Sequence, residues 1–188
     1  MPENGIHMKV YVETDRLILR EMLSSDSEGM FELDSNPLVH EYLGNKPVNN
    51  IEDSAKMIMK VRAQYVNQGI GRWAVIEKAS GDFIGWSGLK LYFERSFNGR
   101  SNFHDIGYRF IPKYWGKGYA TESALAALDY GFNKLNLESI VGLADVKNLA
   151  SNTILKKIGL RYIEQFIYED QDVNWYELKN NEYDEGMS

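Results

Sequence analysis

The chain of 188 residues contains no cysteine and only three histidines. The lack of cysteine excludes disulfides, thiolate metal sites and a thiol nucleophile together. His7, His40 and His104 are far apart and do not show the spacing of metal ligands. We therefore expect no metal site and no covalent catalysis through sulfur.

Positive charge and long apolar runs are also scarce. Lysine and arginine number 21 against 27 acidic residues, which gives a net charge of −6. Nucleic acid is not expected as a partner, because binding to phosphates needs a basic face; a cationic ligand would instead be attracted. No apolar run reaches the roughly 18 residues of a membrane span, and residues 1–5 lack the regions of a signal peptide. We expect no membrane partner and a cytoplasmic location.

The composition is that of one globular domain, with 44% hydrophobic and 26% charged residues. No internal repeat or interdomain linker is evident. We expect an N-terminal extension over 1–12, a single domain over 13–179 and an acidic, frayed tail over 180–188. Met8 is an alternative start of the chain.

Local periodicity predicts a mixed α/β (α+β) arrangement. Alternation of apolar residues predicts strands at 16–20, 72–78, 83–93, 104–110, 139–143, 161–168 and 172–178. Helical spacing predicts helices at 26–33, 38–43, 53–69, 119–133 and 148–158. Asp53 or Ser54 is the expected cap of the longest early helix.

One stretch, Phe110–Thr121, joins a strand end, a glycine loop and a helix start. Gly116 and Gly118 let the backbone approach a ligand without Cβ atoms in the way. The helix start adds unpaired N–H groups and the positive end of the helix dipole. The following helix has apolar positions on one face, at Thr121, Leu125, Leu128 and Phe132. The stretch therefore predicts a phosphate-binding site.

Three kinds of phosphate loop fit such an outline. A P-loop requires G-x-x-x-x-G-K-[ST], which the sequence lacks. A Rossmann fingerprint requires a third glycine where Thr121 stands, within a parallel unit, whereas the strands before it are spaced as a meander. The third kind is the pyrophosphate loop of the GNAT acetyltransferases, Arg/Gln-x-x-Gly-x-Gly/Ala. Residues Trp115–Ala120 resemble it, with Trp115 in place of Arg or Gln.

This departure resembles a GNAT subgroup, the ribosomal-protein N-terminal acetyltransferases of the RimJ/RimL type. The resemblance extends over roughly Glu13 to Leu178, through segments 13–20, 81–85, 105–109, 148–151 and 157–160. It implies a single domain whose central mixed, mostly antiparallel sheet is splayed at an acetyl-CoA cleft, with helices on both faces.

The resemblance also implies acetyl-CoA as co-substrate, without a metal. The pyrophosphate would lie on the glycine loop, and backbone groups of the 108–110 strand would pair with pantetheine amides. A backbone N–H near Phe110 would lie close to the thioester oxygen. The implied cofactor-binding residues are Tyr108, Arg109, Phe110, Trp115, Gly116, Lys117, Gly118, Tyr119, Ala120, Thr121, Asn148 and Ser151. An ordinary turn, core strand or helix cap remains the alternative at these positions.

Two residues are candidates for proton transfer. Asp105 is a candidate base that would take a proton from an amine, directly or through water, although a solvated strand residue is equally compatible. His104 would face the opposite way in a regular strand. The resemblance places Ser151 near the departing sulfur as a candidate acid, with alternatives in Tyr114, Tyr119 and Tyr162.

The function implied is acetyl-CoA-dependent N-acetyl transfer to a primary amine by direct attack in a ternary complex. The acceptor is a protein N-terminus or a small amine (polyamine, amino sugar, amino acid or antibiotic), and the chain a monomer or homodimer. A catalytically silent CoA-binding or sensor module of the same fold is the alternative. Residues 85–88 are not a hydrolase G-x-S-x-G elbow.

Overall fold

The computed structural model describes residues 8–186, with side chains through Tyr183. The strands are β1 (Val10–Glu13), β2 (Leu17–Arg20), β3 (Trp73–Glu77), β4 (Phe83–Tyr92), β5 (Phe103–Phe110), β6 (Ser139–Asp145), β7 (Arg161–Tyr168) and β8 (Gln171–Lys179). The helices are α1 (Ser27–Asp34), α2 (Pro37–His40), α3 (Ile51–Gln68), α4 (Tyr119–Asp129), α5 (Leu149–Lys157) and α6 (Asn180–Gly186). A π-helical turn, Tyr130–Lys134, continues α4.

The strands form one eight-stranded sheet in the order β1-β2-β3-β4-β5-β6-β8-β7. Neighbouring strands are antiparallel except β5 and β6, which are parallel. Helix α4 lies in the connection between those two strands, since a parallel pair needs a long crossover. The predicted mixed, mostly antiparallel sheet is confirmed.

Helices cover both faces of this sheet, as predicted. Leu89 of β4 points toward Gly131 at the end of α4, where a Cβ on that glycine would lie 2.8 Å from a Leu89 methyl. Trp86 and Lys90 of the same strand line a cavity together with residues of α1 and α3. The two faces of β4 thus meet different helices, and the second face is the one with a cavity.

Several boundaries differ from the sequence predictions, and three of the differences have a clear structural reason. Strand β1 begins at Val10, inside the expected extension, because it pairs with β2 and the ring of Tyr11 stacks on Trp73 at 4.9 Å. Residues 180–186 of the segment expected to fray form α6, where Arg161 pairs with Glu182 at 2.8 Å. Helix α3 starts at Ile51, since its cap is Asn50 and not Asp53 or Ser54.

The structure bears on metals and membranes only for residues 8–186. In that range no helix is both long and apolar enough to cross a membrane. The same range holds no group of three or more His, Asp or Glu side chains arranged to bind a metal ion. His7 lies outside the described residues.

Candidate active site

Strands β5 and β6 separate shortly after they meet. Their pairing is confined to Asp105 with Val141 and Ile106 with Gly142. On its other side β5 pairs with β4 over its whole length, from Phe103 to Phe110. Beyond Ile106 the facing edges of β5 and β6 therefore leave a cleft, and the β5 edge can pair with a ligand inserted as an extra strand.

The glycine loop lies at the start of α4. Gly116 and Gly118 have φ of 74° and 82°, a region that favours glycine. The first intrahelical bond runs from the Glu122 N–H to the Gly118 carbonyl, at 3.0 Å. Within the described chain no backbone acceptor is recorded for the N–H groups of residues 116–121. Such N–H groups and the helix dipole are suited to bind an anion, and the phosphate site at this loop stays a prediction.

Arg16, just before β2, supports this loop from behind. Its Nη1 donates to the Lys117 carbonyl at 2.9 Å, and its Nε donates to Glu122 Oε2 at 2.7 Å. The guanidinium also lies over the Tyr119 ring, 4.4 Å from its centroid. Sequence reasoning gave Arg16 only a structural role in a strand, and no local pattern connects it to a loop about a hundred residues later.

Trp115 precedes the two glycines and Lys117 lies between them; both side chains are exposed. The indole Nε1 of Trp115 donates to the Phe110 carbonyl at 2.7 Å, which links the loop to the end of β5. The Lys117 Nζ lies 5.0 Å from the centroid of the Tyr114 ring. Lys117 is paired with no carboxylate among the described residues, so its charge is available to an anion at the loop.

Tyr108 of β5 reaches α5 on the α4 side of the sheet. Its hydroxyl lies 3.2 Å from the Ser151 hydroxyl and 3.2 Å from the Ser151 carbonyl oxygen. Burial raises the pKa of Tyr108, so this phenol stays protonated at neutral pH. The Asn148 Oδ1 accepts from the Ser151 N–H at 3.0 Å, which makes Asn148 the cap of α5. Sequence reasoning expected only the backbone of Tyr108 to act.

The alternative tyrosines lie elsewhere. The Tyr119 hydroxyl donates to Glu77 and the Tyr114 hydroxyl to Asp82, both away from α5. Tyr162 is 53% exposed on β7. The tyrosine that contacts Ser151 is therefore Tyr108, which was not among the candidate acids.

Asp105 is buried at the first of the two positions where β5 and β6 pair. Its carboxylate accepts a charge-assisted hydrogen bond from Arg72, whose Nη1 also donates to the Asp105 carbonyl at 2.6 Å. Burial raises the pKa of Asp105, while Arg72, Lys90 and the Leu143 N–H of β6 oppose that shift. The residue is thus part of a buried ion pair and not the solvated strand residue considered as the alternative; its role as a base stays a prediction.

His104 and Arg109 also occupy definite positions. His104 is half-buried, which lowers its pKa. Arg109 donates to Asp34 of α1 at 2.7 Å, and its guanidinium lies 5.0 Å from the Trp86 ring centroid. The Arg109 side chain therefore points into the cavity on the α1 and α3 face.

That cavity, which we call the β4–β5 cavity, has a volume of about 180 Å³. Its apolar walls are Met22, Met30, Met57, Val61 and Trp86, and its charged groups are Asp34, Arg72, Lys90 and Arg109. The Arg72–Asp105 pair lies between this cavity and the point where β5 and β6 separate. Sequence reasoning missed Arg72, Lys90 and Trp86 as site residues, because no local motif marks them.

A helix start with N–H groups that no backbone carbonyl engages, beside parallel strands that separate into a cleft, is suited to an extended ligand with a phosphate group. Residues 16–161 match the family described as acetyltransferase (GNAT) domain. The chain belongs to the GNAT acetyltransferase family, and it is an acetyl-CoA-dependent acyltransferase.

Several known proteins resemble the chain over most of its length. The uncharacterized N-acetyltransferase YoaA of Bacillus subtilis is 31% identical over 173 residues, which cover 89% of this chain and 95% of YoaA. A GNAT-family acetyltransferase structure from Bacillus anthracis has a TM-score of 0.76 at 28% identity, with 90% of this chain and 98% of that one covered. A Vibrio cholerae spermidine N-acetyltransferase, solved with CoA and spermine, has a TM-score of 0.71 at 21% identity, covering 90% and 99%. The last similarity shows the fold alone.

Proposed function

We propose that this enzyme transfers the acetyl group of acetyl-CoA directly to a primary amine while both substrates are bound. The observation that carries the proposal is the separation of β5 and β6 beyond Ile106, next to the glycine loop that opens α4. This arrangement offers a binding site for a diphosphate and a backbone edge for an extended chain. Orientation of two bound substrates then supplies much of the rate.

The residues proposed to hold the co-substrate fit its chemistry. N–H groups of residues 116–121, with the charge of Lys117, would bind the pyrophosphate. The β5 edge over 108–110, which includes Arg109, would pair with the pantetheine amides, and an N–H near Phe110 would face the thioester oxygen. Asn148 would contribute its Nδ2 group, since the α5 cap uses only its Oδ1.

Proton transfer is proposed for the two groups nearest the cleft. Acetyl-CoA supplies an activated acetyl group and needs a proton on its departing sulfur. Ser151 would deliver that proton, with Tyr108 as its hydrogen-bond partner at 3.2 Å. Asp105 would take the amine proton through water, because its buried carboxylate is already engaged by Arg72.

The acceptor is proposed to be a small amine or a protein N-terminus. A RimJ/RimL-type role on a ribosomal-protein N-terminus rests on the sequence resemblance, and the fold shared with a spermidine N-acetyltransferase supports a small amine. The dimensions of the β4–β5 cavity, about 180 Å³, favour the small amine. We further propose a cytoplasmic monomer or homodimer.

A thiol-release assay tests the function. The enzyme is incubated with acetyl-CoA and, separately, peptides with free Ala or Ser N-termini, spermidine and amino acids, while CoA binding is measured by calorimetry. We expect CoA to bind and thiol to be released in the presence of at least one class of amine. CoA binding without amine-dependent release would indicate the silent module, and a lack of CoA binding would contradict the proposed site.

A further inference from the structure

The charges in the β4–β5 cavity do not match a simple polyamine. Three cationic side chains line it, Arg72, Lys90 and Arg109. Arg109 is paired with Asp34 at 2.7 Å, and Arg72 is paired with the buried Asp105. Each arginine thus has one carboxylate, and the remaining cation is Lys90.

Lys90 is half-buried on β4. Its Nζ lies 4.3 Å from the Tyr92 ring centroid, and no carboxylate lies within ion-pair distance among the described residues. Arg95, a further cation near it, forms its own pair with Glu169 at 3.8 Å. Asp105, directly opposite Lys90 on β5, acts on this ammonium at longer range but is already paired with Arg72. A half-buried ammonium without a carboxylate of its own is stabilised when a ligand supplies a negative charge.

The remaining walls describe the rest of the ligand. Met22, Met30, Met57 and Val61 from the α1 and α3 side, with Trp86 of β4, make an apolar enclosure. Flexible thioether side chains adapt to the shape of an apolar group. Gln64 also borders the cavity, which adds a polar side chain to this mainly apolar wall.

We propose that the acceptor is a small amine that also carries a carboxylate and an apolar group, as an apolar amino acid does. Lys90 binds the carboxylate, the methionine-lined wall holds the apolar group, and the amine is directed toward the Arg72–Asp105 pair at the β5–β6 split. The overall charge of −6 would attract a polyamine at long range. The local charge of the cavity disfavours it, because Arg72 and Arg109 already have carboxylates and a second ammonium would meet the positive charge of Lys90.

This inference rests on the proposed acetyl transfer, and matched acceptors test it separately. L-methionine and L-methioninol share an amine and a side chain but differ in the carboxylate; spermidine is the cationic comparison. We expect kcat/KM for L-methionine to exceed that for either of the others by about tenfold or more, the usual discrimination of one charged hydrogen bond. Equal or better use of L-methioninol or spermidine overturns the proposal.

A binding measurement makes the test independent of turnover. N-acetyl-L-methionine and N-acetyl-L-methioninol are titrated into the enzyme with CoA present. We expect Lys90→Gln to weaken the first about tenfold and leave the second and CoA unchanged, whereas Lys60→Gln, an exposed lysine on α3, changes neither. Failure of the carboxylate probe to bind, or no effect of Lys90→Gln, overturns the inference even if another amine is acetylated. If the unmodified enzyme fails to bind CoA, the result contradicts the proposed function and not this inference alone.

Discussion

The hydroxyl of Tyr108 on β5 lies 3.2 Å from the hydroxyl of Ser151 on α5, and this contact joins the edge of the cleft to the helix beyond it. Both residues were expected near the co-substrate. Tyr108 was expected to act through its backbone, and Ser151 through a hydroxyl without a side-chain partner. Their contact makes a two-hydroxyl unit, in which the buried phenol orients the serine that we propose as proton donor.

Removing either hydroxyl tests this unit. We expect Ser151→Ala and Tyr108→Phe each to lower kcat by about a hundredfold or more, the range of one general acid, with CoA affinity little changed. Because the two act together, the double variant should lose little more than either single variant. Ser101→Ala, at an exposed serine outside the cleft, is the control and should keep full activity. Additive losses would indicate that the hydroxyls act separately.

The role of the glycine loop can be tested with two substitutions that cause similar backbone strain, one inside the loop and one outside it. Gly118 and Gly99 have φ of 82° and 77°, and a Cβ would meet no atom closer than 3.5 Å at the first and nothing within 4 Å at the second. A valine at either should cost about 1–2 kcal/mol of stability through backbone strain. Calorimetry should show CoA binding lost only in Gly118→Val, since its side chain and distorted backbone disturb the N–H groups at the helix start. Equal CoA affinity in both variants would remove the loop from the site.

Arg16 is expected to hold that loop without touching the reacting atoms. Arg16→Met removes the hydrogen bond to the Lys117 carbonyl and the pair with Glu122. We expect the dissociation constant of CoA to rise about tenfold, the effect of one charged hydrogen bond, while kcat at saturating acetyl-CoA is retained. Arg161→Met breaks another exposed ion pair, with Glu182, and should leave CoA affinity unchanged. A fall in kcat with unchanged affinity would place Arg16 in the chemical step.

Asp105 has both a structural and a proposed chemical role. Asp105→Asn leaves Arg72 buried without a counter-ion and should cost about 3–5 kcal/mol in the free energy of unfolding. Asp26→Asn, which breaks the buried Arg20–Asp26 pair at 2.7 Å, is the matched control for stability.

The pH profile separates the two roles. Burial raises the pKa of Asp105, and a base acts only when ionised. The kcat/KM of the parent enzyme should therefore fall as pH decreases through a pKa above the usual aspartate range. Asp105→Asn should abolish that limb and Asp26→Asn should keep it. If the fall of kcat/KM at low pH were unchanged in Asp105→Asn, the role of Asp105 would be purely structural.

The absence of cysteine bears on the kinetic mechanism. With no cysteine in the chain, an acetyl-cysteine intermediate is excluded. Initial rates at several concentrations of acetyl-CoA and amine should give intersecting double-reciprocal lines, as a ternary complex requires. Parallel lines, the mark of ping-pong kinetics, would contradict direct transfer.

Local signals were sufficient for the parts of the site built from consecutive residues. The strand, glycines and helix start over 110–121 were predicted in the right order, since turn and helix-start chemistry depends on neighbours in sequence. The end segments were less predictable. Tyr11 and Glu182 become ordered parts of a strand and a helix through Trp73 and Arg161, and such distant partners leave no local pattern.

The sequence by itself determined the family and the glycine loop, because both depend on which residues occur next to one another. It also determined the absence of a thiol, which depends on composition alone. Only the tertiary structure decided which side chains face which. The pairs Arg72–Asp105, Tyr108–Ser151 and Arg16–Lys117 are separated by 33, 43 and 101 residues along the chain. The charge of the β4–β5 cavity arises in the same way. Strand pairing and helix packing bring cations from separate elements of an acidic chain together, and this happens only in the folded sheet.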